Sequence, residues 1–261
     1  MSALGLIRRA IELEVPVVQI ADNLPLHVLD APALDQIATT ANAAGVDLEV
    51  GMCGFTPSLL RAYLAIAVRL GSPHLRVVVD SPGTEPSLTE IQQTLETLFP
   101  EFERERVDLL IENHDRFTAR ELRGIMEAGA SDRLGVVLDT VNSLGALESC
   151  EQVLDELRCY IRNVHIKDVH VRRTANRMGF EVSGAPAGQG DLRLHQILTQ
   201  LFTLESEPTL ILEQWPPFAS SLKETIARED EWARAGVRYL SSTLEAVRAY
   251  NTEKLGVPAP G

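Results

Sequence analysis

A chain of 261 residues that is 45% hydrophobic and 23% charged has a globular composition and suits one large α/β domain or two small ones. No apolar run approaches the roughly 18 residues of a membrane span, which argues against a membrane partner. A net charge of −13 argues against nucleic acid, because a duplex-binding surface must be basic enough to release counterions.

The opening, MSALGLIRRAIELE, alternates apolar and charged residues at helical spacing, so residues 4–14 are expected as a helix and not a secretory signal. Short apolar runs follow at 15–20, 46–50, 75–79, 107–111, 134–138, 161–166 and 209–212, each dense enough for a buried strand. Helical patterns separate them. Leu34, Ile37, Ala38 and Ala41 share one face, and Gly45 stops that helix. Thr56-Pro57 opens the next, which carries Leu60, Leu64 and Ala67 and ends at Gly71. Thr118 and Glu121 have capping-box spacing, and Ser149 suits the cap of a helix carrying Val153, Leu154 and Leu157. Leu194, Ile197, Leu198 and Leu201 mark another helix. Residues 225–250 read as one long amphipathic helix, and the tail 256–261 is expected to fray. Cys53, Cys150 and Cys159 are an odd set without a CxxC pair, which points to reduced thiols and a cytoplasmic protein.

Strand and helix in alternation imply parallel strands with helical crossovers. No GxGxxG follows a strand, no GxxxxGKS/T occurs, and about 250 residues is the usual length of a closed barrel. The expected fold is one (β/α)₈ TIM barrel spanning 1–261, preferred over an open doubly wound sheet. Only seven strands are found and a helix comes first, so the first strand is expected to be lacking or truncated. Seven strands would leave two unpaired edges.

Four successive strands end in groups that bind metals. DLLIE ends in Glu112, LGVVLD in Asp139 and TLILE runs into Glu213, while RNVHI carries His165. The C-terminal strand ends of such a barrel converge on one mouth. Three carboxylates gathered there repel one another unless a cation sits among them. Three carboxylates and one imidazole suit Mn²⁺ best, with Mg²⁺, Co²⁺ and Zn²⁺ as alternatives.

IENH at 111–114, LDTVNS at 138–143, HIKD at 165–168, GQGDL at 188–192 and LEQW at 212–215 occur in an order that resembles the xylose isomerase-like TIM barrels. That family includes sugar-phosphate isomerases, ketose 3-epimerases, inosose dehydratase-like enzymes and an AP endonuclease branch. The resemblance implies one divalent metal on Glu112, Asp139, His165 and Glu213, and that the lacking strand is the first. In the ketose 3-epimerases the two glutamates also act as acid and base, which implies Glu112 and Glu213 as catalytic residues. Two positions depart from the epimerase pattern: Asn142 stands where a histidine is expected, and Val171 where an arginine is expected. The endonuclease branch needs several extra histidines for a three-metal cluster; only six are present in all, Asn142 replaces one expected ligand, and the net charge is acidic.

Residues 168–191 form an inserted segment, expected as a long loop at the mouth and a candidate lid. Its Arg172, Arg173 and Arg177 are candidates for holding an anionic sugar derivative, since guanidinium forks match carboxylate or phosphate. Met178 and Phe180 are expected to pack the loop down. Lys167 is a candidate donor to a substrate oxygen, Asp168 a candidate to orient His165 or a neighbouring group or to touch substrate, His114 a candidate to reach the mouth or cap the loop, and Asn142 and Trp215 further candidates for the substrate wall. Asp22-Asn23 and Asp80-Ser81 end earlier strands and are candidates for hydroxyl contacts.

The expected activity is isomerisation or epimerisation of a sugar or sugar acid through an enediolate. The alternative is a metal-dependent lyase, a dehydratase or decarboxylase, on an oxo-sugar acid. A third reading is a noncatalytic sugar-binding barrel. A small carbohydrate or sugar acid is the expected partner, and self-association is compatible with all three.

Overall fold

The computed structural model describes residues 1–129, 131–203 and 207–255. Its elements are α1 (Ala3–Leu13), β1 (Val17–Ile20), α2 (Ala31–Ala44), β2 (Asp47–Cys53), α3 (Pro57–Leu70), β3 (His74–Val78), α4 (Leu88–Glu105), β4 (Asp108–Glu112), α5 (Ala119–Gly129), β5 (Leu134–Asp139), α6 (Cys150–Leu157), β6 (Ile161–Ile166), β7 (Asp168–Arg173), β8 (Phe180–Ala185), α7 (Leu194–Leu201), β9 (Thr209–Leu212) and α8 (Leu222–Leu255). The helix boundaries follow the local chemistry. Thr118 and Glu121 exchange capping bonds at the start of α5, Ser149 and Gln152 do the same at α6, and Gly45 and Gly71 close α2 and α3 in the left-handed region. The tail at 256–261, expected to fray, lies outside the described residues.

Seven parallel strands run in the order β1-β2-β3-β4-β5-β6-β9 and curl into a nearly closed barrel with helices outside. It is a TIM barrel missing one strand. Cα atoms of β1 and β9 approach within 8 Å. An intervening strand would need roughly 9.5 Å, two inter-strand spacings, so the edges have closed over the gap.

Alternation along each strand divides the side chains. One set, including Ile20, Val50, Val77, Ile111, Leu138 and Ile166, packs against the helices in the main apolar core. The other set faces the barrel axis and carries most of the buried polar side chains of the strands. Gln19, Glu49, His74, Arg76, Glu112, Asp139, Asn163 and His165 all belong to it, and bonds such as Asn163 to Glu49 cross between non-adjacent strands.

The inserted segment differs from expectation. Instead of an irregular loop, β7 and β8 pair antiparallel from Asp168↔Ala185 to Arg173↔Phe180. The segment alternates well enough for a hairpin, a pattern masked in the sequence by its arginines. Met178 and Phe180 do not pack it down: both are exposed near its tip.

Candidate metal centre

Glu112 and Asp139 are the last residues of β4 and β5, His165 lies in β6 beside Asp139 in register, and Glu213 follows β9. Glu112, Asp139 and His165 are buried, and one donor atom from each lies within 4.8 Å of the others. Glu213 joins them: its Oε2 is 2.9 Å from His165 Nδ1, which is also 3.1 Å from Glu112 Oε2.

Asp139 and His165 are each anchored through one atom and turned toward the other charged groups through the second. Asp139 Oδ1 accepts from the N–H groups of Val141 and Asn142, both at 2.8 Å, while Oδ2 faces Lys167 Nζ at 2.9 Å. His165 Nε2 is 2.8 Å from Gln19 Oε1, while Nδ1 lies between Glu112 and Glu213. The carboxylate oxygens of Glu112, Asp139 and Glu213 and the Nδ1 of His165 form a buried donor set that needs positive charge at its centre. The set fits a divalent cation, and its hard oxygen donors with one imidazole suit Mn²⁺, Mg²⁺ or Co²⁺.

Two cations stand among the acids. Arg76 on β3 donates Nε to Glu112 Oε2 at 2.5 Å, and its Nη1 is 3.4 Å from Asp22. Lys167 Nζ lies 2.9 Å from Asp139 Oδ2 and 3.0 Å from Glu213 Oε1. Burial alone would raise the Glu112 carboxyl, but Arg76 and His165 hold it well below the usual carboxylate range. Burial also opposes ionisation of Glu213, and His165 and Lys167 reverse this, bringing it to about 2. At Asp139 burial wins over Lys167, so that carboxyl is raised. His165 reaches about 9, because Glu112 and Glu213 outweigh the burial that disfavours its charge.

Among the candidate substrate residues, Asn142 and Lys167 reach this centre. Asn142 Nδ2 donates to Glu112 Oε1 at 2.8 Å, and its Oδ1 accepts from Lys167 at 3.3 Å. His114 turns to Asp115 at 2.5 Å. Asp168 does not orient His165. It is buried, and its carboxylate gathers the backbone N–H groups of Val169, Gly188, Gly190 and Leu192. Trp215 is part exposed, its carbonyl seated against Gly184 of the hairpin. The three arginines lie on the hairpin, and among the described residues none of them pairs with the four ligands. Arg172 pairs with Asp191 at 2.6 Å, Arg173 covers the Phe180 ring and donates to the carbonyl of Arg177, and Arg177 sits in the turn with φ +61°. Of the earlier strand ends, Asp80 is engaged by Arg116 at 2.5 and 2.7 Å.

Sequence reasoning passed over Arg76, Gln19, Glu49 and Asn163. The available signal was a polar residue inside each apolar run: Gln in VVQI, Glu in DLEV, Arg in HLRVV, Asn in IRNVHI. A fully buried strand has no use for such a group unless a partner meets it across the barrel.

Among the described residues no helix is long and apolar enough to cross a membrane. The model of the xylose isomerase-like TIM barrel family matches residues 56–243. The chain is 30% identical to the 3-oxo-isoapionate decarboxylase of Pectobacterium atrosepticum over 224 residues, 86% of this chain and 82% of that protein. Its fold is similar to that of D-psicose 3-epimerase with D-tagatose from Clostridium cellulolyticum, with a TM-score of 0.74, 15% identity and coverage of 92% and 93%. A xylose isomerase-like TIM barrel protein from Mycobacterium smegmatis in complex with magnesium is similar at a TM-score of 0.71, 14% identity and coverage of 94% and 88%. With the barrel, the order of its motifs and the match across most of its length in agreement, the chain belongs to the xylose isomerase-like TIM barrel family.

Proposed function

We propose that this protein is a metal-dependent enzyme that decarboxylates a small 3-oxo sugar acid. The observation carrying this reading is the Arg76–Glu112 pair, Nε to Oε2 at 2.5 Å, completed by Asn142 on the other oxygen at 2.8 Å. Two-base epimerisation requires Glu112 to take a proton from carbon, and a carboxylate clamped by a buried guanidinium is a poor acceptor. Decarboxylation beside a carbonyl requires no such base. Carbon dioxide leaves, the electron pair of the broken bond passes into the neighbouring carbonyl, and a proton returns to the carbon.

A divalent cation held by Glu112, Asp139, His165 and Glu213 would supply Lewis-acid stabilisation for charge developing on the carbonyl oxygen. Lys167 is the proton donor in this reading, with Nζ held between Asp139 and Glu213. Three carboxylates set against a divalent cation, one guanidinium and one ammonium leave the centre one charge positive, which suits a monoanionic substrate. The relative at 30% identity, named for decarboxylating 3-oxo-isoapionate, supports the same class. Asn142 and Val171, where the epimerase pattern has a histidine and an arginine, point the same way.

Glu112 and Glu213 both flank His165 Nδ1, and this favours the second reading, epimerisation or isomerisation through an enediolate with the two glutamates as acid and base. Metal-reconstituted protein incubated in D₂O with 3-oxo sugar acids and with neutral ketoses separates the two. Carbon dioxide from the oxo acids, with no deuterium entering recovered ketose, is expected. Deuterium in ketose without gas release would replace the first reading with the second. Neither signal from Mn²⁺-bound protein would leave the noncatalytic barrel.

A further inference from the structure

Gln19 on β1 and Glu49 on β2 are register partners, and both face the barrel axis. Gln19 Nε2 donates to Glu49 Oε2 at 3.0 Å, and Gln19 Oε1 lies 2.8 Å from His165 Nε2. The same Glu49 oxygen accepts from Asn163 Nδ2 at 3.0 Å and lies 3.2 Å from His74 Nε2. Glu49 is 2% exposed, and Asn163 is fully buried.

This arrangement has a direction. A carboxylate has no hydrogen to give, so the Gln19 amide nitrogen must face Glu49 and its carbonyl must face His165. That carbonyl can only accept, so the hydrogen of the neutral imidazole belongs on Nε2. The lone pair is then on Nδ1, the atom that faces Glu112 and Glu213. A metal-binding histidine is commonly oriented by an acceptor on its second nitrogen. Here the acceptor comes from the opposite edge of the sheet. Gln19 on β1 reaches His165 on β6, across β9, because β1 and β9 have closed to within 8 Å.

We propose that Glu49, acting through Gln19, is a positioning residue for the metal centre: it fixes His165 in the Nε2–H form and aims Nδ1 at the cation. The inference rests on the metal-centre reading above, but not on the identity of the substrate. Glu49 has no hydrogen bond to Glu112, Asp139 or Glu213 among the described residues, so its influence runs through the amide.

Mn²⁺ titration calorimetry on the full chain tests this, with urea unfolding of the metal-free protein as the control. Gln19→Met removes the acceptor. Glu49→Gln lets the Gln19 amide turn over and offer N–H to His165. Each is expected to weaken Mn²⁺ binding about 10–100-fold. The double variant Gln19→Glu with Glu49→Gln exchanges carboxylate and amide, and the Asn163 amide, whose Oδ1 has no hydrogen-bond partner, turns over so that this oxygen accepts from the new amide. It is expected to restore most of the affinity. A mere packing role for the pair would not show that rescue. Single variants that bind Mn²⁺ like the parent, or that lose affinity only as much as they lose stability, would overturn the proposal. So would a double variant no better than the singles. A parent chain that itself takes up no Mn²⁺ is a different result, and it would end the metal-centre reading together with the relay.

Discussion

Asn113 and Asp139 clasp each other across the ends of β4 and β5. Asn113 Oδ1 accepts from the Asp139 N–H at 2.6 Å, and Asn113 Nδ2 donates to the Asp139 carbonyl at 3.0 Å and to Ser143 Oγ at 2.9 Å. The side chain thus extends the parallel ladder by one rung where the strands diverge, and it sets the backbone from which the Asp139 carboxylate projects.

Asn113→Ala leaves the Asp139 N–H and carbonyl without this partner at a fully buried position. An orphaned buried polar group costs about 1–3 kcal/mol, so a loss of roughly 2–4 kcal/mol in unfolding free energy is expected from urea titration. Mn²⁺ affinity is expected to fall with it, because the carboxylate loses its footing. An unfolding midpoint matching the parent's would contradict the clasp.

Metal should stabilise the fold. An ion bound only by the native state at a hundredfold excess over its dissociation constant adds about 2.7 kcal/mol. In a chain of this size that raises Tm by roughly 5–10 °C. Calorimetric melting with and without Mn²⁺ measures the difference, and Asp139→Asn is expected to abolish it. An equal rise in the variant would place the ion elsewhere.

The affinity for metal is expected to climb with pH. In the metal-free protein Glu112 and Glu213 hold the His165 proton up to about 9, above the ordinary 6.5. That proton contributes stability fully below 6.5, and the contribution fades as pH rises through about 9. Metal needs the Nδ1 lone pair and must displace the proton, so binding strengthens over the same window. Titrations at pH 6, 7.5 and 9 should show that trend together with proton release. A flat profile would mean that His165 enters no competition with the ion.

Asp168 should be the clamp of the segment after the hairpin. Its carboxylate takes N–H bonds from Gly188 and Gly190 at 2.9 Å and from Leu192 at 3.3 Å. A β-carbon on Gly190 would collide with that carboxylate and with the Val169 carbonyl. Asp168→Ala is expected to speed amide exchange at 188, 190 and 192 by tenfold or more, since bonds to a charged acceptor contribute about 1.5–3 kcal/mol. Gly190→Ala should release the same amides by pushing the acceptor away. Unchanged protection in both variants would show that something else holds the segment.

The strands and most helices were legible because their signals are local. An apolar run of five residues, a glycine after a periodic stretch or a serine three residues before a glutamine acts within one turn or one strand. The placement of Glu112, Asp139, His165 and Glu213 at successive strand ends could be read in the same way, since the repeat brings each to the same level. The inserted segment was misjudged because charged residues such as Arg172, Arg173 and Glu181 obscure the alternation, and pairing between β7 and β8 only becomes visible once the turn is known.

Arg76, Gln19 and Glu49 belong to a different class. Each looks like a blemish in an apolar strand, and its purpose depends on what stands across the barrel. By itself, the sequence determined which barrel strands form, in what order, and that acids and a histidine stand where they end, because hydrophobic period and capping act between near neighbours. The tertiary structure alone decided that Arg76 clamps Glu112 and that Gln19 faces His165, because closing seven strands into a ring brings together groups from distant parts of the chain, and no local pattern encodes that distance.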